Sequence, residues 1–570
     1  MNPRRLLSTR IRKSLKTCGI EAPPLVRTAS KPEFGDYQAD GIMAAAKSLG
    51  KNPRALAEQV RKACLLQDRQ CDGVDVIESV DVAGPGFLNV RLNDEFLARH
   101  LEVDAPLVEP TVRPQTVVVD YSSPNLAKEM HVGHLRSTII GDAAARILES
   151  LGHRVIRQNH VGDWGTQFGM LLAHLSETGG DSRVLADLEE FYRDAKSRFD
   201  SDPGFADASR AMVVSLQSGD ETARARWRQF IEVSLDHCQA LYERLGTSLA
   251  RADVMAESAY NDGLPDVISA LDGKGLLTES EGAQCVFLPE LGSELPVIVR
   301  KSDGAFLYAT TDLAAIRHRA GRLAADRVLY FTDSRQSLHF RQVFAVAAAA
   351  GFKPPGTTLE HMPFGNMLGT DRRPFRTREG GVVKLTDLLN EAEARAFEEV
   401  SSRSPGMGEA ERRAVARAVG TGAVKYADLS KNRTSDYVFD WNRMLAFDGN
   451  TAPYLQYAYA RIRSLFRRGA VEPESLEGVA HPEAPAERAL AVALVRFEEV
   501  LDQVAAEGMP HLLCGYLHDL ATKFTGFYEQ CPILGADTGE RENRLRFAQR
   551  TARTLKTGLE LLGIETVDRM

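Results

Sequence analysis

Long hydrophobic runs, paired cysteines and an excess of positive charge are all missing from this 570-residue chain. Its longest purely apolar run, Val343–Phe352, is far shorter than the ~20 residues needed to cross a bilayer. Seven cysteines are scattered without a C-x-x-C pair, which argues against a disulfide framework or a structural zinc and favours reduced thiols. A net charge of −8 excludes a bulk polycation but permits local basic patches. These absences predict a soluble, cytoplasmic protein.

The start of the chain is strongly basic. Its first twenty residues carry six basic side chains and no acidic one, so an Arg- and Ser-rich mitochondrial transit peptide is one interpretation. The favoured interpretation is a basic amphipathic helix, because Leu7, Ile11 and Leu15 recur at a spacing of four residues.

Hydrophobic periodicity divides the chain into three parts. The first mixes helical stretches with strand-like alternation and ends at a proline-punctuated linker, residues 106–114. The second alternates strands and helices, which predicts an α/β fold with a parallel sheet. The third is helical almost throughout. The resulting domains are residues 1–105, residues 115–383 with an insertion at about 175–300, and residues 384–570 with a core from about 452.

A βαβ unit opens the second part. The buried-strand signature Thr116–Tyr121 is followed by a helix with apolar residues from Leu135 to Leu151, and then by a strand at Val155–Gln158. Beyond the insertion, the pattern predicts strands at Phe306–Thr310, Val328–Thr332 and Leu359–Pro363, and a helix at Leu338–Ala350.

The most informative segment, Ser122–His134, lies between the first strand of this unit and its helix. Ligands bind at that edge of a parallel sheet, and a helix N-terminus favours phosphate. Gly133 lets the backbone approach a ligand, while His131 and His134 project towards similar space and can donate hydrogen bonds to phosphate oxygens. The alternatives are a metal pair, for which no His or Cys cluster supplies an obvious third ligand, or two incidental surface histidines.

In this segment the chain resembles the class I aminoacyl-tRNA synthetases, with H-V-G-H at His131–His134 in place of their "HIGH" signature. More narrowly, it is similar to arginyl-tRNA synthetases. The stretches that carry the resemblance are Phe34–Lys47, Tyr121–Arg136, Asn159–Gly169, Ala423–Asp436 and Phe447–Tyr459. The resemblance implies a Rossmann-type catalytic domain with an insertion, a small N-terminal α+β domain that contacts tRNA, and an all-α C-terminal domain that binds the anticodon.

The resemblance also implies a reaction. Arginine is joined to ATP with release of pyrophosphate and then passes from AMP to the terminal adenosine of the tRNA. Catalysis would therefore consist of positioning and of stabilising charge on phosphate oxygens. The implied catalytic residues are Lys128, His131, Gly133 and His134, and ATP, with Mg²⁺, would also contact His160 and Gly162.

One family signature is absent. The loop Asp371–Gly381, which corresponds to the lysine-bearing "KMSKS" loop, contains no lysine. By resemblance Lys128 is the substitute, and Arg376 and Arg378 can add forked donors to the phosphates. A solvated arginine-rich loop is the alternative.

The amino-acid pocket follows from the ligand. A guanidinium is planar and always charged, so a selective site needs carboxylates. The resemblance assigns that task to Asp312 with Tyr308 beside it. It assigns the amino-acid backbone groups to Asp120 and Asn125, and completion of the pocket to Gln336.

Two patches are candidates for tRNA binding. Aromatic residues and arginines interleave near residues 454–468, which suits splayed anticodon bases, and basic residues recur on one face of the last helix. A merely solvated basic face is the alternative for that helix. The residues are Tyr454, Tyr457, Tyr459 and Arg461 in the first patch, and Arg546, Arg550 and Arg553 in the second.

The implied partners are tRNA(Arg), L-arginine and ATP, with no membrane association and a monomeric chain.

Three alternative functions stay open from the sequence. They are another class I synthetase, which should lack the acidic pocket; a small-molecule nucleotidyltransferase, which would not need the long helical part; and a catalytically dead RNA-binding relative, which the intact Asp120, Lys128, His131 and His134 argue against.

Overall fold

A computed structural model describes residues 2–66, 70–71, 73–178, 188–289, 296–375 and 383–570. In its first unit, four antiparallel strands in the order β1-β2-β6-β5 pack against helices. Leu7, Ile11 and Leu15 of the first helix are fully buried in this core, which confirms the amphipathic interpretation. The elements are α1 Pro3–Thr17, β1 Val26–Thr28, β2 Tyr37–Ala39, α2 Gly41–Leu49, α3 Pro53–Leu66, β3 Gln70–Cys71, β4 Val74–Asp75, β5 Ile77–Ala83, β6 Phe87–Leu92 and α4 Asp94–Arg99.

The second unit carries the predicted parallel sheet and its insertion. Up to the end of the insertion its elements are β7 Thr116–Asp120, α5 Val132–Ser150, β8 Arg154–Gln158, α6 Thr166–Thr178, α7 Leu188–Ser201, α8 Pro203–Ser218, α9 Glu221–Leu245, α10 Leu264–Gly273, β9 Thr278–Ser280, β10 Ala283–Val286 and β11 Val297–Arg300. The chain then returns to the sheet through α11 Tyr308–Arg317, β12 Arg327–Tyr330, α12 Ser337–Ala350, β13 Thr358–His361 and β14 Met367–Leu368.

All neighbours in this sheet are parallel, in the order β13-β12-β7-β8. Val117, Val118 and Val119 of the central strand β7 are fully buried, since helices or the insertion cover both faces. The register places Asp120 beside Gln158 of β8 and Tyr330 of β12. The carboxyl ends of three strands therefore meet at one edge.

The predicted strand at Phe306–Thr310 is wrong. Phe306 makes only an isolated bridge with Arg300, and the extended Leu307 is the N-cap of α11, which begins at Tyr308. Short apolar runs of this kind do not distinguish a strand from the first turn of a buried helix. Tyr308 and Asp312, which are both expected to bind arginine, therefore lie in the first turns of one helix.

The third unit is helical, as predicted, apart from a short strand that pairs in parallel with β14. Its elements are α13 Leu385–Arg403, α14 Glu409–Leu429, β15 Tyr437–Val438, α15 Trp441–Met444, α16 Ala452–Gly469, α17 Pro485–Val495, α18 Phe497–Glu507, α19 His511–Gln530 and α20 Thr538–Leu561. No helix in the described ranges is long and apolar enough to cross a membrane.

Candidate active site and RNA-binding surface

The site begins with a strained turn directly after β7. Ser122 and Ser123 both adopt positive φ, 68° and 47°, which non-glycine residues rarely do. Several hydrogen bonds impose this conformation: the N–H of Ser122 donates to Ser137 Oγ and that of Ser123 to Asn159 Oδ1, each at 2.9 Å. Strain that the surrounding structure over-determines is typical of ligand-binding turns.

The H-V-G-H segment caps helix α5. The N–H of Gly133 donates to Nδ1 of His131 at 3.0 Å, and the N–H of His131 donates to Nδ1 of His134 at 3.1 Å. Since each Nδ1 accepts, each neutral ring carries its proton on Nε2. Glycine is needed at position 133, because a Cβ there would lie 2.7 Å from Cε1 of His131.

The two imidazoles form one donor group. Their ring centroids lie 4.0 Å apart. Burial, together with His131 and Lys128, lowers the pKa of His134 to about 3, and burial and Lys128 also lower the pKa of His131. Both rings are therefore uncharged near neutral pH and present two Nε2–H donors. Lys128 adds a point charge; its Nζ lies 4.4 Å from the ring centroid of Tyr192 on α7.

A cavity of about 330 Å³ opens at the carboxyl edge of the sheet. Seven of its lining residues were expected from the sequence to bind arginine or ATP: Asp120, Asn125, His160, Gly162, Tyr308, Asp312 and Gln336. Lys128, His131 and His134 are not in this lining; they lie close to one another at the start of α5. The expected residues therefore form two groups, one that lines the cavity and one at the start of α5.

The cavity contains acidic residues that differ in their partners. Asp120 pairs with the buried Arg319 at 2.7 Å, and Asp312 accepts a 2.6 Å hydrogen bond from Nε2 of His339. Glu257, just before α10, is the third. Burial, Asp163 and Asp312 raise its pKa to about 8.

Sequence reasoning missed Glu257, Arg319 and His339. Glu257 lies in the insertion, and neither Arg319 nor His339 belongs to a motif with a recognisable spacing, so no local signal marks them. The position of Glu257 instead depends on a contact distant along the chain: Asp163, in the loop after β8, accepts from the N–H and Oγ of Ser258, next to Glu257.

Arg376 and Arg378 lie outside the described residues. The segment that follows them packs on the H-V-G-H turn: the N–H of Val132 donates to Val383 O at 3.1 Å, and Lys384 pairs with Glu129 at 3.2 Å. Within the described ranges, no group of three or more His, Cys, Asp or Glu side chains could hold a metal ion.

The helical unit has a basic cavity of about 790 Å³. Tyr457, which is 44% exposed, and Arg461 of α16 line it, and the guanidinium of Arg461 lies 4.5 Å from the ring centroid of Tyr528. Tyr459 is buried and Tyr454 half-buried against His518. The cations of the cavity wall are Arg403, Arg461, Arg467, Arg468 and Arg569.

Other segments cover part of the basic face that the sequence predicts on α20, and its binding of tRNA stays a prediction. Arg550 is buried and donates to the carbonyls of Glu102 and Ala105, and Arg553 donates to that of Val103. Arg546 donates to a carbonyl of the loop before α17. Helical spacing places these guanidinium groups on one side of α20, but the linker after α4 covers Arg550 and Arg553. Arg550 and Arg553 therefore connect α20 to the segment that follows α4.

Three family models match consecutive parts of the chain. The model described as "Arginyl tRNA synthetase N terminal domain" matches residues 5–92, "tRNA synthetases class I (R), catalytic domain" matches residues 100–441, and "DALR anticodon binding domain" matches residues 455–570.

Whole-chain relatives agree with these models. The arginine–tRNA ligases of Hahella chejuensis and a Marinomonas species are each 54% identical, with complete coverage of both chains. The solved structure of Thermus thermophilus arginyl-tRNA synthetase superposes with a TM-score of 0.85 at 28% identity, with each chain fully covered. That of the Plasmodium falciparum enzyme gives 0.87 at 28% identity, covering 100% of this chain and 99% of the other. The chain belongs to the arginyl-tRNA synthetase family of class I aminoacyl-tRNA synthetases.

Proposed function

We propose that the chain activates L-arginine with ATP in the cavity at the sheet edge and transfers it to the 3′-terminal adenosine of tRNA(Arg). The observation that carries this proposal is the cavity itself, where Asp120, Glu257 and Asp312 face one small volume beside the capped helix α5. An acidic cavity of this size suits a ligand with a guanidinium and an α-ammonium group.

In this proposal, Glu257 and Asp312 bind the guanidinium. Asp312 is oriented by its hydrogen bond from His339, and Nε2 of His160 lies 4.0 Å from its other oxygen. Tyr308 and Gln336 close the sides of the pocket. Buried polar groups left unpaired by a wrong side chain supply the selectivity.

In this proposal, ATP binds together with Mg²⁺ and extends from Gly162 and His160 to the start of α5. The two Nε2–H donors of His131 and His134 and the ammonium of Lys128 stabilise the charge that develops on the α-phosphate during in-line attack. Because the imidazoles are uncharged, they act as hydrogen-bond donors while Lys128 supplies the charge. Arg376 and Arg378 are proposed to cover the pyrophosphate.

The anticodon loop is proposed to bind at the basic cavity of the helical unit. Tyr457 offers an exposed ring for base stacking and Arg461 a cation for the RNA backbone. Tyr454 and Tyr459, which are less exposed, support the helix that carries them. The N-terminal domain is proposed to contact the body of the tRNA.

The test is pyrophosphate exchange into ATP, run with each amino acid and with and without tRNA(Arg). We expect exchange with arginine and tRNA(Arg). Exchange with another amino acid would favour another class I synthetase, and the complete absence of exchange would favour an inactive relative.

Asp312→Asn should raise KM for arginine by about 10²-fold while KM for ATP changes little, because a buried charged hydrogen bond is lost. Equal effects on both KM values would contradict the assignment.

We further propose a monomer that acts in the cytoplasm, with domains at residues 1–105, 115–383 and 384–570. Sedimentation equilibrium and cell fractionation test the first two points, and limited proteolysis tests the boundaries.

A further inference from the structure

A buried arginine lies behind the cavity. Arg319 is 1% exposed and belongs to a π-helical turn, His318–Arg322, that directly continues α11. Its Nη1 pairs with Asp120 Oδ2 at 2.7 Å, its Nε donates to Gln158 Oε1 at 2.5 Å, and its guanidinium carbon lies 5.1 Å from the ring centroid of Tyr330. It thus contacts the ends of the three strands β7, β8 and β12.

Stability is a poor explanation for this arrangement. A buried ion pair contributes little net stability relative to apolar residues of the same volume, because both charges must be desolvated. A π-turn is also a costly way to continue a helix and is frequent at functional sites. The buried ion pair and the π-turn are both explained if the fold has to hold the Asp120 carboxylate in one orientation.

The hydrogen bonds around Asp120 hold that orientation. Arg319 occupies Oδ2, while Ser123 Oγ, from the strained turn, donates to Oδ1 at 2.9 Å. The carboxylate is therefore held from both sides, and each oxygen keeps a second acceptor site for a ligand. Arg319 also compensates the negative charge of Asp120 in a cavity that other acidic side chains line.

We propose that Arg319 is a positioning residue for amino-acid recognition: it holds the Asp120 carboxylate in the orientation that binds the α-ammonium group of arginine. This inference rests on the proposed function, in which Asp120 contacts that group. It predicts an effect confined to ligands with an α-ammonium group, since the residues that bind the guanidinium lie elsewhere in the cavity.

The test measures the Kd of two arginine analogues for the full-length chain by calorimetry, in the presence of tRNA(Arg). L-Argininol keeps the guanidinium and the ammonium but lacks the carboxylate; 5-guanidinopentanoate keeps the guanidinium and the carboxylate but lacks the ammonium. For Arg319→Met we expect Kd for argininol to rise about tenfold or more, and Kd for 5-guanidinopentanoate to change less than about twofold. Arg319→Lys restores the positive charge without the paired N–H donors of a guanidinium, and should recover part of the affinity for argininol.

The same factor for both analogues, or no change in either, would overturn the inference. If Arg319→Met does not fold, Arg319→Lys carries the test, with an expected rise of about threefold for argininol alone. Asp120→Asn separates the two levels of the proposal. Selective loss of argininol binding with Asp120→Asn but not with the Arg319 variants leaves the proposed function standing and removes the role of Arg319; failure of the unchanged chain to bind either analogue removes the proposed function itself.

Discussion

At the scale of single residues, the environment of each carboxylate decides what it can do. Asp120, Glu257 and Asp312 line one cavity but have different partners: a guanidinium, a neighbouring acid and an imidazole. Burial, Asp163 and Asp312 raise the pKa of Glu257 to about 8, which lies near physiological pH. A cationic ligand can therefore change the charge of Glu257.

We expect arginine binding to be linked to proton release from Glu257. Below pH 8 the free carboxyl is mostly protonated, and a bound guanidinium favours the ionised form. Kd for arginine should therefore fall by about tenfold or more as the pH rises from about 6.5 to about 8.5. Calorimetry in two buffers of different ionisation enthalpy measures the released proton directly.

Glu257→Gln is the matched control for this linkage. It should weaken arginine binding and remove both the proton release and the steep pH dependence. A variant that keeps the pH dependence of the unchanged chain would assign it to another group.

At the scale of elements, helix α5 shows how one segment combines capping with chemistry. His131 caps the helix through Nδ1 and leaves its Nε2–H for a ligand. Sequence patterns predicted this helix, its preceding strand and the approach of the two imidazoles, because all of these depend on contacts within a few residues. They did not predict the positive φ of Ser122 and Ser123, which Ser137 and Asn159 impose from other elements.

The two functions of His131 can be separated. In His131→Asn a side-chain oxygen still accepts from the N–H of Gly133, so the free energy of unfolding should change by less than about 0.5 kcal/mol. The Nε2–H donor is lost, and kcat for adenylate formation should fall about 10²–10³-fold. Chemical denaturation and pyrophosphate exchange measure the two quantities.

His131→Gln is the complementary variant. Its amide reaches the position of Nε2 but caps the helix poorly, so it should retain more activity than His131→Asn and less stability. The reverse order for activity would mean that the cap, and not the donor, matters for the reaction.

At the scale of the whole molecule, charged pairs that are wholly or partly buried join the three units. Arg136 of α5 pairs with Asp428 of α14 at 3.0 Å, both almost fully buried, and thereby links the H-V-G-H helix to the helical unit. Arg488 of α17 pairs with Asp36 of the N-terminal unit at 2.9 Å and with the more exposed Asp94 at 2.7 Å. The N-terminal unit, the unit with the parallel sheet and the helical unit are therefore connected by specific contacts.

The two acidic partners of Arg488 provide a matched pair of variants. Asp36→Asn removes the buried carboxylate that pairs with the half-buried Arg488 and leaves only the more exposed Asp94, so it should reduce the stability of the docked N-terminal unit by about 3 kcal/mol. Asp94→Asn removes a partly exposed partner and should cost less than about 1 kcal/mol. The readouts are the rate of proteolysis in the linker 106–114 and KM for tRNA in aminoacylation, which should rise only for Asp36→Asn. Equal behaviour of the two variants would show that Asp36 does not anchor the unit.

The amino-acid sequence by itself determined the parallel sheet, the helical C-terminal part, the family and most side chains expected around the ligands, since periodicity and the H-V-G-H motif act over short distances along the chain. Only the tertiary structure decided that Glu257 and His339 line the cavity, that Arg319 lies behind it, and that Arg550 and Arg553 donate to the carbonyls of a linker. The reason is that burial and partner choice depend on segments that are far apart along the chain, from tens to hundreds of residues, and helical spacing specifies a face of a helix without specifying what will cover it.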